Sequence, residues 1–166
     1  MIGQALFLLF PLALVFGAVS DVMSMTIPNW LVLGMLAVFV LLAPFSGMGW
    51  PVAGFHFAAG AVVLVGAFAF FAFGWIGGGD AKLAAAIALW LGWDHLLEFV
   101  LVAAVFGGLL TLKLLMFRRM MLPGFALWPW LLRLHDSKSG VPYGLALAAA
   151  GLVIYPRTGW IGLVTG

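Results

Sequence analysis

The stretch "FGWIGGGDAKLAAAIALWLGW", residues 73–93, decides how this chain is read. Asp80 and Lys82 stand behind three consecutive glycines, Gly77, Gly78 and Gly79, and between two apolar segments. A carboxylate at the edge of hydrocarbon is costly, and a residue kept there at that cost is by default a functional one. Glycine has no Cβ, so the residues before Asp80 permit close approach of another backbone. The "GGGD" run therefore reads as a slot in which an extended peptide lies beside Asp80.

Outward from this point the chain stays apolar. Of its 166 residues 66% are hydrophobic and 7% charged, and the mean hydropathy is +1.27. A soluble domain does not carry that much apolar surface. At about 20 apolar residues per spanning helix, there is material for about six spans. The expected fold class is all-α, a polytopic membrane protein in which residues 1–166 form one transmembrane domain and no separate soluble domain. The absence of cysteine excludes disulfides and thiolate metal sites. A net charge of +2 is too small to point to a nucleic acid. The partner of such a surface is the lipid bilayer, and its basic residues read as topology signals.

Met1 to Ser20 is long enough to span and stops at Asp21; lacking the basic start of a secretory signal, it reads as a retained first helix. After "DVMSMTIPN" come an apolar run from Trp30 to Ala43 and a turn-rich loop at 44–51. Further spans are expected at about Val52 to Ile76, Leu83 to Trp93 (Ala-rich and short), Phe99 to Phe117, and Val141 to Tyr155. The piece at about 118–139 is broken by Pro123, Pro129 and charge, and reads as an interfacial segment with Trp128 and Trp130 at headgroup depth.

Threading these spans alternately through a bilayer places Lys82, Lys113, Arg118, Arg119, Arg133 and Lys138 on one side and Arg157 on the other. The first side is expected to be the cytoplasm. Asp21 and Asp80 both fall at helix ends on that side, so the folded bundle can bring them together. Two aspartates held close do not both ionise easily: one keeps a proton while the other activates water, the acid and base pair that peptide hydrolysis needs. Each residue's own helix suggests the division, with Asp80 at a positive amino end favouring the ionised base and Asp21 at a negative carboxyl end favouring the protonated acid.

Other polar residues have plainer readings. Pro28 and Asn29 start the second helix, and Pro142 and Tyr143 shape the start of the last. Lys82 either anchors the topology or meets the dyad or substrate. Asp94, His95 and Glu98, with distant His56, are metal-ligand types but read as a solvated loop, so no metal and no cofactor is expected. Gly60, Gly66, Ala84 and Ala88 are read as sites of close helix contact. The short helix after Asp80 suggests a water-filled notch at the cytoplasmic side, with Ala81 and Ala85 along it.

Three segments together resemble the type IV prepilin peptidases, GxGD-type aspartic peptidases of bacterial inner membranes, and most closely the short forms serving Flp/Tad pili. They are "SDVMSMTIPNWL", "GGGDAKLAAA" and "SGVPYGLALAAAGL". The resemblance implies an endopeptidase that removes the short basic leader of prepilins and pseudopilins at the cytoplasmic face, after a Gly and ahead of the apolar pilin helix, with Asp21 and Asp80 as the catalytic pair. Gly77, Gly78, Gly79, Lys82, Pro28, Asn29, Pro142 and Tyr143 are then candidates for substrate binding or support of the site. Long family members also N-methylate the new amino terminus and carry a cysteine zinc domain; with no cysteine here, that second activity is not expected. Met25 and Thr26 stand where many relatives have basic residues. The alternative reading is a small proton-coupled transporter or channel subunit, in which the same two aspartates relay protons.

Overall fold

The computed structural model describes residues 8–121 and 128–160. Within these residues the chain is all-α, with α1 (Leu9–Ser24), α2 (Asn29–Leu42), a short 3-10 turn (Ala43–Ser46), α3 (Trp50–Ala72), α4 (Gly78–Leu91), α5 (Leu96–Arg118), α6 (Pro129–His135), α7 (Tyr143–Ile154) and a closing 3-10 turn (Tyr155–Arg157). The first seven residues of the expected first span, and Pro123, lie outside the described residues.

Three segments are long and apolar enough to cross a membrane: Asn29–Ser46, Trp50–Ala72 and Leu96–Arg118. At 1.5 Å per residue the two 23-residue helices are each about 35 Å long, more than a bilayer core requires. Of the other expected spans, α4 and α7 are shorter, with 14 and 12 residues. Helix α4 is the axis of the bundle rather than part of its wall: Leu83, Ile87, Ala88 and Trp90 are inaccessible to solvent, and α2, α3, α5 and α7 all pack on it. Its alanines let neighbours come close. A methyl at Gly60 of α3 would lie 3.2 Å from the Ala85 carbonyl oxygen and from Leu89 Cβ, a separation that only a small residue tolerates. Gly66 behaves differently from the expectation, since the space where its side chain would begin is open.

Helix α7 closes the opposite flank. It packs on α1, α4 and α5, and a methyl at Gly151 would sit 2.9 Å from Leu14 Cδ1 and 3.1 Å from Ile87 Cγ2. The far end of α4 is sealed by an aromatic cluster. Trp90 stacks on Phe10 at 4.8 Å, donates its indole N–H to the Met35 carbonyl at 3.0 Å, and accepts at its own carbonyl from the Trp160 indole at 2.8 Å. Leucines, valines and phenylalanines such as Leu12, Leu33, Val65 and Leu101 cover the outside, the surface that a hydrocarbon solvent accepts.

Charge is segregated along the bundle. Lys82, Arg118 and Arg133 bond at the end where α1 finishes and α4 and α7 begin, whereas Arg157 pairs with Glu98 at the other end.

Candidate active site

Asp21 lies in the last turn of α1, which continues through Ser24 instead of ending at Ser20. The chain then reverses through Met25, whose left-handed φ of 54° is paired with a 2.7 Å bond from its N–H to the Asp21 carbonyl. Ser20 Oγ donates to the Thr26 carbonyl at 2.8 Å, and the Ser24 and Thr26 hydroxyls lie 2.7 Å apart. This polar knot drives Ile27 inward, where it is buried.

Ile27 meets the glycine run. Helix α4 starts at Gly78, five residues earlier than the apolar pattern suggests, so Asp80 occupies its first turn. A methyl at Gly79 would lie 3.2 Å from Ile27 Cβ, and one at Gly78 3.3 Å from Phe71 Cε2. The space beside these two glycines is thus filled by this chain's own side chains, in place of the open slot read from the sequence. Gly77 caps the helix, and its N–H donates to Asp80 Oδ2 at 3.3 Å. With Ile27 seated against Gly79, Asp80 comes within electrostatic reach of Asp21. Both carboxylates are buried, with 4% and 7% of their surface exposed.

The third element is the amino terminus of α7. The Gly144 N–H donates to Asp21 Oδ2 at 2.7 Å; the Leu145 N–H, bonded to the Pro142 carbonyl at 3.2 Å, adds its dipole near the same carboxylate, and Asp80 lies within the field of the Gly144 N–H. One otherwise unsatisfied donor of a helix start is therefore taken by Asp21, beside the acid of a second helix. Gly144 has no room for anything larger: a methyl there would lie 2.7 Å from Asp21 Oδ2 and 2.8 Å from Ile27 Cδ1. The division of roles expected from each residue's own helix leaves out a third helix. Asp21 does close α1, but its carboxylate faces the positive end of α7, so the nearby helix dipole favours its ionised form.

The remaining candidates fall into place around this point. Pro28 and Asn29 begin α2 as expected. Lys82 Nζ donates to Asn29 Oδ1 at 2.9 Å, joining α4 to α2; its bond is to a neutral amide, not to the dyad. Pro142 is buried at the cap of α7. Tyr143 opens that helix and lies 3.3 Å, hydroxyl to hydroxyl, from Thr111 of α5. At the other end His56 Nδ1 meets the Leu89 carbonyl at 2.7 Å, while Glu98 pairs with His95 and Arg157. Among the described residues no three His, Asp or Glu side chains form a group able to hold a metal.

Sequence reasoning missed two residues. Gly144 lies in a stretch whose Pro142 and Tyr143 drew the attention; a glycine in the first turn of a helix that starts beside a proline was the available signal. Arg118 was read as a topology charge, yet its guanidinium donates to the carbonyls of Leu134 at 2.9 Å and of Ser139 and Gly140 at 2.8 Å. It clamps the strap that leads into α7, and Arg133 bonds the Met23 carbonyl at 2.7 Å on the α1 side.

The profile of a family described as the type IV leader peptidase family matches residues 8–112, which include both aspartates but not Gly144. Two proteins named prepilin leader peptidase/N-methyltransferase, from two strains of Burkholderia pseudomallei, are each 38% identical to the chain over 76 residues. That segment is 46% of this chain and 20% of each relative, so the chain aligns with about a fifth of the length of those proteins. No solved structure matches it.

Proposed function

Because the chain belongs to the type IV leader peptidase family, we propose that it is a membrane-embedded aspartic endopeptidase that removes the leader of prepilins and pseudopilins, of the kind serving Flp/Tad pili. The observation that carries this reading is the convergence of two buried carboxylates, Asp21 and Asp80, at the amino terminus of α7, where the Gly144 N–H donates to Asp21. Two acids this close share one proton. A water held between them is then both deprotonated and aimed.

Asp21, on the short 2.7 Å bond from the Gly144 N–H, is the ionised base of the resting pair, and Asp80, whose Gly77 donor is 3.3 Å away, carries the proton. Asp21 takes a proton from water as the oxygen attacks the scissile carbonyl carbon. Asp80 gives its proton to the carbonyl oxygen, forming a neutral gem-diol. In the second half Asp80 recovers a proton from the diol while Asp21 delivers its own to the departing amide nitrogen. The C–N bond breaks, and the pair returns to its starting state with one water consumed.

The basic residues gathered at this end of the bundle support a site on the cytoplasmic face of a bacterial inner membrane. The proposal concerns the peptidase step; methyl transfer forms no part of it. The test is cleavage of a prepilin-like substrate by purified protein in liposomes, read by product mass. Wild type is expected to cut after the leader glycine, while Asp21→Asn and Asp80→Asn keep their helix content and melting temperature but lose at least 1,000-fold in rate, about 4 kcal/mol. A variant that cuts at the wild-type rate removes that aspartate from the mechanism.

A further inference from the structure

A groove of about 830 Å³ runs along the flank of the bundle between α3 and α5, floored by α4 and α7. The two long helices forming its walls hardly touch each other, so the groove opens sideways, onto the surface that faces lipid. Its lining changes along its length. Leu96, Phe99 and Val100 make one end apolar, while Asp80, Thr111 and Tyr143, the polar side chains of the lining, gather at the other. From Phe99 to Thr111 is twelve residues of α5, about 18 Å along the groove. Its sides are low at Gly66 of α3 and Gly108 of α5, where the space around a side chain's first atom is empty.

We propose that this groove seats the apolar helix that follows the scissile bond of the substrate, with the bond at the Asp80 end. The inference rests on the proteolytic reading above and adds where the rest of the substrate lies. A lateral opening in hydrocarbon admits an apolar occupant, and a carboxylate at the end of an apolar trough is costly unless it meets polar backbone. An incoming helix supplies that match at its amino terminus, where unpaired N–H groups and the positive end of the dipole face the acids. The occupant then runs from Asp80 toward Phe99, parallel to α4 and α7, and the low sides at Gly66 and Gly108 let it approach the walls closely. The Thr111 hydroxyl is bonded to the Gly107 carbonyl at 2.8 Å, so it is the Tyr143 hydroxyl that stands beside the junction, where an unwound carbonyl needs a donor.

Two substrates with the same leader junction test this, one continuing into its apolar helix and one cut short a few residues after the scissile bond. Gly66→Leu and Gly108→Leu place an isobutyl group in the groove from positions where nothing lies within 4 Å of the first side-chain atom. Each is expected to lower the long-to-short ratio of kcat/KM by tenfold or more, mainly through KM for the long substrate. Gly54→Leu, the same change at an equally open position of α3 away from the groove, leaves the ratio as it was.

A second readout does not depend on cleavage. The chain has no cysteine, so Gly108→Cys in an Asp80→Asn background offers a single thiol to a long substrate carrying one cysteine in its helix, with a mild oxidant present. A mixed disulfide is expected. An unchanged ratio with no adduct, as for a groove filled by lipid, overturns the proposal while leaving the peptidase reading intact. Disulfide-linked pairs of this chain in place of the substrate adduct also overturn it, assigning the groove to a second copy. An adduct without cleavage by wild type keeps the groove and removes the peptidase reading; neither adduct nor cleavage removes both.

Discussion

Replacing Gly144 with alanine tests whether the start of α7 sets the geometry of the aspartate pair. The added methyl would lie 2.7 Å from Asp21 Oδ2, 2.8 Å from Ile27 Cδ1 and 3.1 Å from Asp21 Cβ, where ordinary contact begins at 3.4 Å. These are side-chain atoms, so the helices keep their places and the carboxylate retreats by roughly 0.7 Å. The Gly144 N–H then loses a 2.7 Å bond to a charged acceptor, a contribution of about 1.5–3 kcal/mol, and crowding costs about 1–3 kcal/mol more. A misplacement approaching 1 Å at a reacting group lowers the rate about 100-fold. The assay is kcat at saturating long substrate across a pH series, with circular dichroism melting on the same samples. Expected are a fall in kcat of about 100-fold, a lower melting temperature, and an acid limb of the pH–rate profile displaced to higher pH. The sign follows because a base that has lost a backbone donor ionises less readily. Gly151→Ala is the control: its methyl would meet hydrocarbon of Leu14 and Ile87, so melting falls while the pH profile stays. A Gly144→Ala enzyme within threefold of wild type, with its acid limb unmoved, would refute the reasoning; identical behaviour of the two variants would reduce Gly144 to a packing residue.

Two further outcomes follow from the basic residues. Lys82→Gln retains a donor for Asn29, so cleavage is expected to stay within threefold of wild type; a 100-fold loss in kcat would move Lys82 into the chemistry. Arg118→Lys preserves the charge but not the three carbonyl bonds, because an ammonium cannot reproduce the planar fork. A loss of about 2 kcal/mol in the docking of the strap and roughly a tenfold fall in kcat are expected, measured by limited proteolysis between α6 and α7 and by the cleavage assay. Wild-type resistance to protease would show that Arg118 does no more than mark topology.

Much of the fold was legible because apolar composition leaves a chain few options. Runs of Leu, Val, Phe and Ala longer than a soluble helix needs must be helical in hydrocarbon, where each backbone group has to be satisfied within its own segment. Boundaries were less legible. The apolar pattern around Asp80 begins at Leu83, yet α4 begins at Gly78, since glycines are poor helix formers by propensity and only packing against Ile27 and Phe71 makes them good ones. Likewise the pattern of α1 stops at Ser20, but the Ser24 hydroxyl donates to the Ser20 carbonyl, and the Ser20 hydroxyl ties down the Thr26 carbonyl beyond the helix end. Nor does composition alone distinguish a wall helix from an axis. Burial and packing identify α4 as the axis, and its alanines are what let the neighbours come close.

The aspartates themselves could be picked out from a single sequence because a carboxylate costs so much in this setting that few are present. What could not be picked out is the group that organises them, and the reason is physical. A backbone N–H is the same in every residue except proline, and its importance depends on which side chains arrive in front of it. Asp21 and Gly144 are 123 positions apart. Reading each acid against its own helix dipole therefore left out the larger partner: the amino terminus of α7, which meets Asp21 head-on at hydrogen-bond distance, within the one turn over which such dipoles act. The same placement explains why glycine is needed where no turn demands it. A side chain at position 144 would occupy the space through which Asp21 reaches the N–H, so the residue works by what it lacks, and the acid that closes one helix is held by the helix that opens beside it.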